Sequence, residues 1–212
     1  MKYPNVTLGR VEAVWNKLGG EEGVGRFLRG ELTILKFIST VKISATTTKF
    51  IARERFALNT KDKTKRLISY LGSNFKNWFL EGKGKIEDPI DEQELCSHRL
   101  QKSSTSGPIL TELGGDEKSE TTLTEMFSLM EKQMEKQKDG ETGVLLTNGY
   151  TNIFYIEDQK ATLREVGVNR YDGGWSVEAL SVENWYPSDL GSRVFSRNSV
   201  FKPSEPSASA QA

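Results

Sequence analysis

The sequence is poor in the residues that build disulfides, metal sites and histidine-based catalysis. Its 212 residues include one cysteine, Cys96, and one histidine, His98. A lone thiol cannot form an internal disulfide, and it is typical of a reducing compartment. A zinc site needs three or four ligands, which this pair cannot supply. A catalytic Cys-His dyad needs its two side chains within hydrogen-bonding distance, and a spacing of two residues on a strand does not ensure that. We therefore predict no metal site, and interpret this pair as an ordinary strand histidine beside a buried thiol.

Long apolar runs and cofactor motifs are also missing. No run of about 18 apolar residues is present, which excludes a membrane-spanning helix. We therefore also predict that the membrane is not a partner. The first five residues lack an apolar segment, so we expect no secretory signal and a cytoplasmic location. Dinucleotide, Walker and serine-elbow motifs are absent, and Glu21 and Glu22 would repel a phosphate from the glycine-rich segment 19–23. We therefore predict no cofactor.

One acidic cluster is the strongest place for carboxylate chemistry. It contains Glu87, Asp88, Asp91, Glu92 and Glu94. Paired carboxylates can hold a hard cation or act as general acid and base. The spacing fits no EF-hand, so we favour a solvated acidic loop and predict no catalytic residue here.

Charge is unevenly distributed along the chain, although 29 basic and 29 acidic residues give a formal net charge of zero. Residues 1–86 carry 17 Lys and Arg against 7 Asp and Glu, a net charge of +10. Residues 87–212 carry 12 against 22, a net charge of −10. Such asymmetry indicates either an anionic partner or two mutually attracting lobes, but oppositely charged solvated faces of one domain also explain it.

The first 102 residues alternate between helical and strand patterns. Val11, Val14, Trp15 and Leu18 follow the 0, 3, 4, 7 spacing of one helix face, and a glycine pair separates this helix from a second short one. Together they predict a helix pair. Further along, β-branched and aromatic runs favour strands, and a wide apolar stripe favours a longer helix interrupted at residues 72–74. The predicted elements are helices over 11–18, 21–30 and 65–80 and strands over 33–38, 49–58 and 94–103, with a connection over 81–89.

The second half begins with a segment rich in Ser, Thr and Gly, residues 103–119, which we predict to be a loop. Thr122 and Glu125 form a capping box that predicts a helix reaching residue 140. Asn148-Gly149 predicts a tight hairpin between strands 144–147 and 150–156. Further strands are predicted over 161–170, 175–182 and 193–195, followed by a disordered tail.

These patterns predict an α+β fold. An N-terminal lobe, residues 1–102, holds the helix pair with strands and a helix, and residues 103–119 form a linker. A second lobe, residues 120–201, holds a helix packed on a four- or five-stranded antiparallel β-meander. Residues 202–212 form the tail.

Three segments carry a resemblance to a known family. Residues 14–32, 143–158 and 191–198 resemble a family of short bacterial proteins found mostly in genomes assembled from environmental DNA, to which no activity has been assigned. The similar parts cover about a fifth of the chain. The resemblance implies a bacterial, cytoplasmic protein, and it transfers no site residue.

The best candidate site in the sequence is basic. Lys and Arg side chains release counterions from a phosphate backbone, and an exposed aromatic such as Trp78 can stack on a base. Because Trp78 lies on an apolar stripe and no nucleic-acid module is recognisable, nucleic-acid binding is our second hypothesis. The first is a non-enzymatic interaction protein with a protein partner, and a small enzyme is the third. The candidate nucleic-acid-binding residues are Lys61, Lys63, Lys65, Arg66, Lys76, Lys83 and Lys85.

Overall fold

The structure, a computed structural model, describes residues 7–18, 20–28, 34–59, 61, 68–136, 144–171 and 174–197. The chain forms two compact units, residues 1–34 and 35–212. The division therefore falls elsewhere than the predicted linker over 103–119, because strands from both sides of that segment join one sheet. The predicted tail, residues 202–212, lies outside the described residues.

The first unit contains the predicted helix pair, α1 (Leu8–Lys17) and α2 (Gly20–Leu28). The Thr7 side chain caps α1 by accepting a hydrogen bond from the Arg10 backbone N–H. Gly23 lets the helices approach, since a Cβ added there would lie 1.4 Å from the Leu18 carbonyl oxygen. A residue with any side chain at this position would force the two helices apart.

The second unit is a mixed α/β structure, which agrees with the predicted class. Among the described residues, no helix combines the length and the apolar character needed to cross a bilayer. Its strands are β1 (Leu35–Ile43), β2 (Phe50–Ile51), β3 (Ile68–Leu71), β4 (Ile86–Glu87), β5 (Gln93–Leu100), β6 (Glu120–Thr121), β7 (Asn152–Glu157), β8 (Leu163–Tyr171), β9 (Gly174–Ser181) and β10 (Arg193–Ser196). Its helices are α3 (Ala52–Arg55), α4 (Ser73–Phe75), a π-helix (Lys76–Leu80), α5 (Ser106–Leu113), α6 (Asp116–Ser119) and α7 (Leu123–Lys136).

The main sheet is mostly antiparallel and has the strand order β1-β5-β10-β7-β8-β9-β3. The three-stranded meander β7-β8-β9 is present, but β10 does not extend it. Instead, β10 pairs in parallel with β7 and antiparallel with β5. Because β9 and β10 run in the same direction, the connection over 182–192 crosses the sheet. We call this connection the aromatic crossover.

One face of the sheet packs against α7 and forms the main hydrophobic core. Met126 and Met130 of α7 are fully buried there, whereas the Met134 side chain lies outside the described part. Phe154 and Phe195 stack with ring centroids 4.7 Å apart. Burying one such side chain contributes about 1.5–3 kcal/mol, so this face supplies much of the folding free energy.

The capping box that begins α7 is confirmed. The Glu125 carboxylate accepts a hydrogen bond from the Thr122 backbone N–H at 2.6 Å, and the Thr122 hydroxyl accepts one from the Glu125 N–H at 3.2 Å. Two backbone donors that the helix leaves unpaired are thereby satisfied. The helix is described as far as Lys136, and its predicted extension to residue 140 lies outside the described residues.

The predicted loop over 103–119 is wrong, because α5 and α6 occupy most of it. Ile109, Leu110 and Leu113 are buried on one side of α5, a helical stripe that surrounding Ser and Gly residues concealed in the sequence. Gly114, at φ +96°, ends α5 in the left-handed conformation.

The predicted strand over 49–58 is also mostly wrong. Only Phe50–Ile51 forms a strand, and it pairs with β4 before α3 begins. Ala52 and Phe56, four residues apart, are both buried, while the charged residues between them are exposed. One helical turn achieves this burial, whereas a strand would have pointed the charged Glu54 in the same direction as Ala52 and Phe56.

The predicted helix over 65–80 is a strand followed by a short helix. Ile68–Leu71 forms β3 at the edge of the main sheet, parallel to β9, and Gly72 marks the predicted interruption. The part over 73–80 is helical, as α4 and the π-helix, whereas residues 62–67 lie outside the described part. Strand pairing with a distant partner therefore overrode the local helical spacing.

The Asn148-Gly149 hairpin is wrong as well. Gly149 adopts φ +89° within a bend, but residues 144–147 form no strand. The Asn152 side chain instead accepts a hydrogen bond from the Leu146 N–H at 2.7 Å and donates one to its carbonyl at 3.0 Å. The Asn152 side chain thus binds the Leu146 N–H and carbonyl, which in a hairpin would pair with the backbone of the opposite strand.

Candidate functional site

The aromatic crossover exposes large apolar side chains that a folded chain normally hides. Trp185 is 73% exposed, Tyr186 is 60% exposed and Leu190 is 54% exposed. The rings of Trp185 and Tyr186 stack on each other with centroids 4.0 Å apart. Exposed contiguous aromatic surface of this kind is typical of binding sites.

Backbone hydrogen bonds attach the aromatic crossover to the rest of the sheet. Ser188 and Ser104 exchange backbone hydrogen bonds of 2.8 and 3.2 Å. Gly191 donates to the Leu100 carbonyl at 3.0 Å, and the Leu100 N–H donates to the Ser192 carbonyl at 2.9 Å. The exposed rings are therefore carried by a connection fixed at several points.

A buried carboxylate lies beneath the aromatic crossover. Glu165 accepts hydrogen bonds from the hydroxyls of Ser106, at the start of α5, and Ser188, the latter at 3.1 Å. Burial raises the pKa of Glu165, although both hydrogen bonds oppose that effect. Burial also raises the pKa of the neighbouring Tyr155 hydroxyl, and the Glu165 charge raises it further. Because the cluster ties α5 to the crossover, its role in the fold is structural.

The predicted basic site is only partly described by the structure. Lys61, Lys76 and Lys83 are exposed, whereas Lys63, Lys65 and Arg66 lie outside the described residues. The described part of the predicted site therefore contains fewer exposed cations than the seven that the sequence predicts.

Lys85 is held inside the protein. Its ammonium group donates to the Glu157 carbonyl and lies 4.0 Å from a Glu87 carboxylate oxygen. Trp78 is half-buried, and the Arg164 guanidinium lies 3.9 Å from its ring centroid. Neither side chain is thus available to a nucleic acid in the way the sequence indicated.

Glu87, from the predicted acidic loop, has a structural role at the start of α7. Its carboxylate accepts hydrogen bonds from the Leu123 N–H at 3.0 Å and from the Thr124 N–H and hydroxyl at 2.8 and 2.6 Å. Asp88, in contrast, is exposed and pairs with Lys49 at 2.9 Å. The cluster therefore divides into one buried helix cap and exposed carboxylates.

Cys96 and His98 are buried on the sheet face opposite α7. Burial lowers the pKa of His98 to about 4, and the nearby Val194 backbone opposes this only in part. Phe37 contacts the imidazole edge-on, with ring centroids 5.8 Å apart. Among the described residues, no three His, Cys, Asp or Glu side chains are placed to hold a metal ion.

Sequence reasoning missed the aromatic crossover as a site. The signal was Trp185-Tyr186-Pro187, two adjacent aromatics beside a proline in a segment with no strand pattern. Neighbouring aromatics in a strand point to opposite faces, so a strand packed on a core would bury one of them, whereas a connection can expose both. Comparison of the chain with protein-family models, curated proteins and solved structures found no match.

Proposed function

We propose that this is a non-enzymatic binding protein whose aromatic crossover contacts a protein partner. The observation that carries the proposal is the exposure of Trp185 and Tyr186 on a connection that is hydrogen-bonded to neighbouring strands and turns. Trp and Tyr dominate the binding energy of protein interfaces. A connection that is already ordered loses little conformational entropy on binding, so more of the contact energy contributes to affinity.

The charges beside the two rings indicate what the partner carries. Glu183 and Asp189 are exposed on the same connection. Carboxylates at the rim of an apolar patch favour a partner with Lys or Arg around an apolar anchor. The partner we propose is therefore a protein segment with basic residues beside an aromatic or aliphatic side chain.

A selection from a phage-displayed random peptide library tests this proposal without knowledge of the natural partner. Peptides selected on the immobilised protein should be rich in basic and apolar residues. Their affinity should fall at least about tenfold, or about 1.4 kcal/mol, in Trp185→Ala because the main anchor is lost. Isothermal titration calorimetry measures this change.

Tyr171→Ala is the matched control, because Tyr171 is 56% exposed but lies on β8 rather than on the aromatic crossover. Selected peptides should bind this variant with unchanged affinity. If the selection yields no peptides, or only peptides that bind Trp185→Ala equally well, the aromatic crossover is not the binding surface.

Nucleic-acid binding is the second candidate function, favoured by the exposure of Lys61, Lys76 and Lys83. The test is an electrophoretic titration with a single-stranded oligonucleotide at two salt concentrations. Binding that weakens steeply with salt and is lost when all three lysines are changed to glutamine supports this candidate. The absence of a shift at micromolar protein excludes it.

A further inference from the structure

A row of cations crosses three neighbouring strands at one end of the main sheet. Lys36 on β1 pairs directly with Arg99 on β5, and Arg99 pairs directly with Arg193 on β10. Directly paired residues project from the same face, with Cβ atoms about 4.5–5.5 Å apart. Three positive side chains are therefore side by side; we call them the basic row.

The three strands that carry the basic row, all of them described by the structure, place no carboxylate directly beside it. Neither β1 nor β10 contains an acidic residue, and the acid on β5, Glu94, is five residues from Arg99 and pairs with Lys42. Like charges placed directly opposite each other destabilise a sheet. Such an arrangement is unfavourable for the free protein, and a bound anion would relieve it.

The environment of Arg193 agrees with this geometry. Arg193 is half-buried, and burial lowers the pKa of its guanidinium, which the nearby Arg99 charge lowers further. Across the strand, Asn152 is neutral, and its side chain is occupied by Leu146 and Val168. The positive charge of the row is thus neither fully solvated nor offset by its neighbour on β7.

Buried donors lie beside the basic row. Arg193 Nη1 donates to the Val144 carbonyl at 2.5 Å, and Gln133 Oε1 accepts from the next N–H, that of Leu145, at 3.0 Å. Both side chains are thereby fixed against the same two-residue segment. Arg193 Nε and Gln133 Nε2 are both buried, and neither has an acceptor among the described residues. Gln133 is 2% exposed, so bulk water does not readily satisfy its amide.

We propose that the basic row is a binding site for a phosphate group, held by Lys36, Arg99 and Arg193. A guanidinium donates two parallel hydrogen bonds to phosphate oxygens, and a lysine adds a mobile charge. A phosphate dianion neutralises most of three positive charges and has enough oxygens for several donors. The phosphate belongs either to a small free anion or to the backbone of a single-stranded nucleic acid.

Isothermal titration calorimetry with inorganic phosphate, at constant ionic strength set with chloride, tests the site itself. We expect binding with a dissociation constant at or below about 1 mM, and weakening of at least about tenfold in Arg99→Gln. Arg99 is exposed, so this variant should fold, and circular dichroism checks that it does. Lys36→Gln gives a second, independent variant with the same expected direction.

Lys160→Gln is the control, because it removes one positive charge from an exposed turn between β7 and β8. Phosphate should bind this variant within twofold of the original affinity. The proposal is overturned if 10 mM phosphate produces no binding, or if Arg99→Gln binds as well as Lys160→Gln.

A second titration, with a single-stranded oligonucleotide, identifies the source of the phosphate. Micromolar binding that Arg99→Gln weakens and inorganic phosphate competes away assigns the site to a nucleic-acid backbone. Phosphate binding without oligonucleotide binding assigns it to a small phosphorylated anion. The proposal does not depend on the aromatic crossover, and Trp185→Ala should leave both titrations unchanged.

Discussion

Two clusters of charge in the second unit differ in how their cations are used. Around the start of α7, Lys85 faces Glu87, and Arg197 makes two hydrogen bonds to the Glu125 carboxylate, at 3.1 and 3.2 Å. In the basic row, Lys36, Arg99 and Arg193 face one another. The difference teaches that charge count alone does not reveal function. The first cluster holds its cations against carboxylates, whereas the basic row places its cations beside one another, where we propose that a phosphate binds.

The largest expected effect is at the paired cluster. Glu87→Ala removes the acceptor for three hydrogen bonds and leaves two backbone donors of α7 buried without a partner. We expect the free energy of unfolding to fall by about 3–4 kcal/mol, measured by urea denaturation. Asp88→Ala, which breaks only an exposed ion pair, should change it by less than about 0.5 kcal/mol. Equal effects of the two substitutions would contradict the structural role of Glu87.

A second prediction uses His98, which is next to Arg99 in sequence but on the opposite face of the sheet. Burial lowers its pKa from 6.5 to about 4, so the unfolded chain binds a proton more readily than the folded one. The stability that this residue contributes is therefore complete above pH 6.5 and is lost as pH falls toward 4. The loss amounts to about 3 kcal/mol.

Urea denaturation between pH 4 and 7 measures this dependence, and His98→Gln serves as the comparison. The variant should lose less stability with acid over this range than the original protein, whatever its stability at pH 7. Parallel pH profiles would show that His98 is not buried as a neutral imidazole.

A smaller effect is expected for Arg197→Gln. This change leaves the fully buried Glu125 carboxylate without its cation, but Arg197 is itself partly exposed, so solvent screens the ion pair. We expect a loss of about 1–2 kcal/mol by urea denaturation at pH 7. The loss should shrink at high salt, which screens the partly exposed pair. A loss that does not depend on salt concentration would indicate altered packing instead of a lost ion pair.

Sequence reasoning succeeded where structure is decided locally. The helix pair and the Thr122–Glu125 capping box depend on residues within one or two turns of each other. It failed where a distant partner determines the local structure. The helical spacing of β3 is overridden by pairing with β9. Among residues 144–147, the Leu146 backbone groups are bound by the Asn152 side chain. The sequence of one segment does not reveal which distant strand will pair with that segment.

The candidate sites follow the same rule. Glu87 is indistinguishable in sequence from its acidic neighbours, because α7, whose backbone it caps, begins 36 residues later in the chain. The basic row is less visible still, since Lys36, Arg99 and Arg193 come from distant segments that only the strand order brings together. The charge asymmetry of the chain directs attention to cations in the first 86 residues, whereas Arg99 and Arg193 of the basic row lie beyond them.

The most direct test of the contrast between the two charge clusters is the thermal unfolding of Arg99→Gln beside the original protein, with and without phosphate at constant ionic strength. Without phosphate, the variant should be as stable or slightly more stable, because one repulsive neighbour is gone. Phosphate should raise the melting temperature of the original protein and leave that of the variant unchanged, since a ligand stabilises only the state that binds it. A variant that melts well below the original protein in phosphate-free buffer, with both responding equally to phosphate, would show that the basic row is a structural element and not a binding site.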